Sequence, residues 1–214
     1  MRTITAAMLA FLGGFVVMVL EIIGVRYLAK DFGSSFYVWT SQIGVILIAL
    51  AAGYYLGGAL ADRYPRVTVL GWLLVPAGIV TFLIPEFAGR VSDVLIARHP
   101  VDREIPLIWQ KLDPALGSLL IFLLPCAALA AVPPYMIRWR TRALAQVGQT
   151  SGLIIAASTV GSIAGVFIAG YILIDVMKLS DTFRAMGGLM IVLGFSCWGI
   201  DRWLGERAPI KPGP

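Results

Sequence analysis

The chain has 214 residues, of which 59% are hydrophobic and 14% charged, with a net charge of +5 and an isoelectric point near 9.5. A water-soluble domain carries roughly 45–50% apolar and about 25% charged residues, so this composition excludes a fold that keeps its apolar surface from water without a bilayer. The positive charge does not point to nucleic acid, because the arginines flank apolar runs and form no basic patch interleaved with exposed aromatics.

A membrane span takes about 20 mostly apolar residues. Six segments qualify, at 4–25, 37–60, 67–85, 115–137, 150–174 and 184–200. The expectation is an all-α polytopic membrane protein, one transmembrane domain over 1–214, with both termini on the same side. The first run starts after Arg2 and has no small-x-small cleavage site before Glu21, so it is expected to be an uncleaved helix rather than a signal peptide.

The connections differ in character. Residues 26–36 (RYLAKDFGSSF) are short and polar, and 61–66 (ADRYPR) form a tight turn closed by Pro65. The long connection, 86–114, holds five acids and four basic residues; its Phe87, Val91, Val94 and Leu95 share a helical face. Either a short amphipathic helix on the membrane surface or a solvated loop is expected there. Residues 201–214 form a short tail.

Placing the termini in the cytoplasm puts Arg2, Arg63, Arg66, Arg138, Arg140, Arg142, Arg202, Arg207 and Lys211 inside, nine of the 17 basic residues. The compact Arg138-Trp139-Arg140-Thr141-Arg142 segment is the clearest inner signal. Trp39, Trp72, Trp109, Trp139, Trp198 and Trp203 all fall near span ends, where the indole prefers the interface. Cys126 and Cys197 stand alone in apolar runs, and His99, the one histidine, falls in a polar connection where it is expected to be solvated. No metal, disulfide or cofactor site is expected from these residues.

Glycine spacing carries more information. Helices in lipid associate through close backbone approach at small residues. Gly53 and Gly57 in the second span and Gly161, Gly165 and Ala169 in the fifth step by four, with Gly58 and Gly170 alongside. They are expected to pack helices within the chain or to form a dimer face.

Two of these stretches resemble known motifs. Gly58-Ala59-Leu60-Ala61-Asp62-Arg63-Tyr64-Pro65-Arg66 is similar to the G-x-x-x-D-R-x-x-R turn between the second and third helices of major facilitator superfamily transporters. Gly161-x-x-x-Gly165-Val166-Phe167-Ile168-Ala169-Gly170 resembles their fifth-helix motif, with Val166 where the family has proline. More broadly, the chain resembles the membrane domain of bacterial spermidine synthase-like proteins, which are polyamine aminopropyltransferases. Glu21-Ile22-Ile23-Gly24-Val25-Arg26, Phe32-Gly33-Ser34-Ser35, Gly53 to Arg63, Pro133-Pro134-Tyr135 and Ala156 to Gly165 carry that likeness. It implies one facilitator-like half in a bacterial cytoplasmic membrane. The glycine-rich turn and acidic residues that such enzymes use for catalysis have no counterpart in the tail DRWLGERAPIKPGP, so aminopropyltransferase activity would need a separate soluble partner.

Ionisable groups in spans are costly and by default functional. At about 1.5 Å per residue Glu21 lies about 25 Å beyond Ile4, near the outer edge of a core about 30 Å thick. Gln42 and Arg184 are its expected partners; Arg26 diverges from it by about 140° around the helix. This polar set would act as a structural anchor between helices one, two and six, or bind substrate. At the inner turn, Gly58, Asp62, Arg63 and Arg66 are expected to clamp neighbouring helices.

Two functions follow. The first is a noncatalytic membrane subunit or scaffold that associates with another protein. The second is a half-size transporter of a small solute that acts as a homodimer, for which the mild polar residues Tyr54, Tyr55, Thr81, Cys126, Ser158, Thr159 and Ser162 near mid-span are the available groups. An intramembrane enzyme is not expected, since no nucleophile and base are paired.

Overall fold

The computed structural model describes residues 2–100, 105–141 and 147–204. Among them, six helices are long and apolar enough to cross a membrane, and no strand occurs. They are α1 (Arg2–Phe32), α2 (Phe36–Arg63), α3 (Thr68–Ala97), α4 (Leu107–Arg140), α5 (Val147–Val176) and α6 (Leu179–Leu204). The chain is an all-α, multi-pass membrane protein.

Most helices outrun their apolar cores, and this shortens the expected connections. α1 continues through Arg26 to Phe32, burying Tyr27 and Leu28, so the first link is only 33–35. It stops at Gly33, whose φ of +81° is the left-handed conformation that ends helices without a Cβ penalty. α3 runs through Pro76 and Pro85 to Ala97, and α4 begins at Leu107. The expected long connection 86–114 is therefore mostly transmembrane helix extended at its ends, neither a surface helix nor a solvated loop. A proline removes one i→i−4 bond, which packed neighbours tolerate.

Two helices are irregular. α4 is broken at Ala131 between Leu107–Ala130 and Val132–Arg140. Pro133 and Pro134 start the second piece and carry no amide hydrogen, so the Ala130 carbonyl has neither an i+3 nor an i+4 helical donor. α5 widens into a π-helical turn over Ala169–Leu173, which takes in the last two residues of the Gly161–Gly170 stretch.

α1 is central and touches all five other helices. Its most extensive partner is α5; α2 packs chiefly on α4, and α3 on α6. These principal pairings survive an exchange of α1, α2 and α3 with α4, α5 and α6: α1–α5 corresponds to α4–α2, α1–α6 to α4–α3, and α1–α2 to α4–α5. Three crossings separate each helix from its counterpart, so the two halves are related with inverted topology.

Small residues permit these contacts. A Cβ at Gly161 would overlap the Phe11 carbonyl of α1, and one at Gly165 would sit 2.5 Å from the Phe15 oxygen. In the equivalent pair, Gly53 faces Ala127 and Ala130 of α4, and Gly57 lies against Ala131. The α3–α6 contact is reciprocal, with Gly78 against Gly187 and Gly71 against Gly194. Gly170, expected in helix packing, is instead exposed with open space around it, and the stripe continues through buried Ala169; Gly58 likewise meets nothing.

Candidate functional site

The structure disperses the expected polar set. Glu21 is half-buried on α1 and makes no hydrogen bond or ion pair with a described residue. Arg26 is exposed. Arg184 bonds Glu86 of α3 at 2.8 Å and approaches Asp181 at 3.7 Å, which ties α6 to α3 rather than to Glu21. Gln42 is fully buried and turns toward α4, where Ser118 donates to its Oε1 at 2.6 Å; its Nε2 has no partner and lies against Gly24. The anchor joining helices one, two and six does not form. Position on a single helix fixes direction, whereas partners depend on which helices adjoin.

The 64–67 turn forms a junction. Arg138 of α4 donates from Nε to Asp62 at 2.7 Å, the expected clamp between neighbouring helices. The Tyr135 hydroxyl lies between the Tyr64 and Arg66 carbonyls, 2.8 Å from the latter, and can donate to either. Asp201, near the end of α6, accepts from the backbone amides of Val67 (3.2 Å) and Thr68 (2.8 Å) and from the Thr68 hydroxyl. It supplies acceptors to the otherwise unsatisfied first amides of α3. Arg63 stacks over Tyr64, Arg2 over Trp139, and Arg140 bonds Thr3 at 2.6 Å.

A second junction lies at the opposite end. Asp113 of α4 is paired with Arg98 and lies 2.7 Å from His99, and Arg98 sits 4.4 Å over the Trp109 ring. The Asp113 side chain is 5% exposed and that of His99 only 10%, so His99 is a packed partner of a carboxylate and not the solvated loop residue expected.

The remaining feature is a groove. Tyr54 of α2, Pro133, Pro134 and Ile137 of α4, and Ile155, Ser158 and Thr159 of α5 line a cavity of about 270 Å³. A smaller recess shares Tyr54, Pro133 and Ser158 and reaches Gly13 and Gly14 of α1, Ala130 of α4 and Ser162 of α5. Four of the mid-span polar residues, Tyr54, Ser158, Thr159 and Ser162, thus meet in one place. Thr81 and Cys126 are buried elsewhere, Thr81 donating to the Ala77 carbonyl at 2.8 Å. The groove offers hydroxyls and apolar surface without a charged side chain. Among the described residues, no group of three or more His, Cys, Asp and Glu is placed to hold a metal ion.

α2 and α5 border this groove and are the least buried of the six spans. Five of the seven described helical glycines with no atom near the position of a Cβ lie on them, Gly44, Gly58, Gly148, Gly152 and Gly170, and the other two, Gly188 and Gly199, lie on α6. No protein-family model, curated protein or solved structure matches the chain.

Proposed function

We propose that this protein is a noncatalytic membrane subunit whose α2–α5 face and intervening groove receive helices of another membrane protein. The observation that carries this reading is that the two least buried spans, α2 and α5, hold five of the seven described helical glycines that have open space at the Cβ position. A glycine in a helix interior costs about 1 kcal/mol relative to alanine. Contact with acyl chains does not need one, whereas close approach of another helix does. The inverted pairing of α1–α3 with α4–α6 and the Asp62–Arg138 clamp support the resemblance to a facilitator-like half, a module that is completed by other helices.

Gentle extraction in native nanodiscs, followed by mass measurement of the intact particle, tests this. A stoichiometric second protein is the expected result; a lone chain with lipid contradicts it. One observation favours the alternative, a half-size transporter: the hydroxyl-lined groove lies among two equivalent helix pairs, α1–α5 and α4–α2, as a binding site between repeats would. A homodimer enclosing the groove would favour that reading.

The site of action is a bacterial cytoplasmic membrane with the termini inside. At the end bearing the 64–67 turn, the described charges are Arg2, Arg63, Arg66, Arg138, Arg140 and Arg202 against Asp62 and Asp201, while the other end is nearly balanced. Labelling of cysteines introduced at Arg66 and Lys30 in whole cells reads this directly: only position 30 should react with an impermeant reagent.

A further inference from the structure

At the end of the bundle that holds the 64–67 turn, α3 begins where α6 finishes. Asp201 bonds the Val67 and Thr68 amides, and so brings the backbones of their chain neighbours Arg66 and Arg202 near each other. The other described arginines at this end are engaged. Arg138 pairs with Asp62, Arg140 bonds Thr3, Arg2 covers Trp139 and Arg63 covers Tyr64. Arg66 and Arg202 are exposed, and their guanidinium groups have no hydrogen-bond or ion-pair partner among the described residues. The Asp201 oxygens already accept three hydrogen bonds from the start of α3.

The surface toward the hydrocarbon is aromatic. Trp198, one turn before Arg202, packs against Trp72 with centroids 5.4 Å apart and against Phe195 at 5.1 Å. Trp72 is 69% and Phe195 54% exposed. Indoles favour the headgroup boundary, which sets the two arginines at the depth of the phosphates. Guanidinium groups bind phosphate through paired, charge-assisted hydrogen bonds.

We propose that the α3–α6 junction is a binding site for an anionic phospholipid, with Arg66 and Arg202 on its phosphate and an acyl chain along Trp72 and Phe195. The test uses the full chain in nanodiscs of phosphatidylglycerol or phosphatidylcholine, with retained lipid counted by native mass spectrometry. The wild type should keep one tightly held phosphatidylglycerol in preference to phosphatidylcholine. At about 1 kcal/mol per basic residue near the surface, R66Q/R202Q should weaken retention about thirty-fold and each single variant about five-fold, with melting unchanged. R63Q, at the same end, should retain the lipid. Undiminished retention in the double variant, equal loss in R63Q, or equal retention of phosphatidylcholine would each overturn the site. Displacement of the lipid by excess inorganic phosphate would instead assign the pair to a free anion.

Discussion

Replacing Gly161 with alanine tests the packing that organises this bundle. The added Cβ would lie 2.7 Å from the Phe11 carbonyl carbon and 2.9 Å from its Cα. Moving that carbonyl carbon to 3.4 Å, where contacts become ordinary, takes about 0.7 Å, and the oxygen needs more. The obstacle is backbone, so a rotamer change cannot relieve it, and α1 and α5 must separate. A gap of 0.5–1 Å forfeits roughly a quarter to a half of each dispersion contact along the seam, and overpacking of this kind costs about 1–3 kcal/mol. Gly161→Ala should therefore lose about 2–3 kcal/mol. At Gly152, in the same helix but with open space at the Cβ position, alanine should gain up to about 1 kcal/mol from helix propensity. Thermal unfolding of both variants in one detergent measures the contrast. Equal melting of Gly161→Ala and wild type would refute the backbone contact.

Other outcomes follow from the junctions. Asp201→Ala removes three hydrogen bonds from the start of α3 and should cost about 1–2 kcal/mol in thermal unfolding, the range of a lost helix cap. Asp113→Asn leaves Arg98 and His99 without a charged partner; breaking a buried pair costs roughly 3–5 kcal/mol, but the 36% exposed Arg98 side chain lowers the expectation to about 1–3 kcal/mol. Proteolysis between α3 and α4 should accelerate accordingly. Gln42→Met removes a buried amide nitrogen that has no partner but also the acceptor of the buried Ser118 hydroxyl, so it should cost about 1–3 kcal/mol; Gln42→Met/Ser118→Ala should recover most of that loss in thermal unfolding, and no recovery would mean that the amide nitrogen is satisfied in the protein.

The features legible in the sequence were those that one helix declares by itself. Apolar length gave the six helices, and the four-residue steps Gly53–Gly57 and Gly161–Gly165 gave two of the three main contacts. The third, Gly71 and Gly78 against Gly187 and Gly194, uses a seven-residue step, which returns to the same face after two turns. A search tuned to four passes over it. Charge misplaced the helix ends at Arg26 and Glu86, because polar side chains lengthen a helix past the hydrocarbon as readily as they end it. The partners of Asp201 and Tyr135 lie 134 and 71 residues away, and no local pattern names them. The groove was half legible: its hydroxyls were visible as mild polar residues, but their meeting depends on α2 and α5 flanking the Pro133–Pro134 break.

The docking role of the α2–α5 face is tested most directly by comparing wild type with Gly152→Leu after native nanodisc extraction. Gly152 faces open space, so leucine leaves the fold of the single chain intact while blocking close approach of another helix. The expected result is a wild-type particle containing a stoichiometric partner protein and a variant particle without it, at unchanged melting temperature. Full retention of that partner by Gly152→Leu, or a wild-type particle holding one chain and lipid alone, would contradict the account.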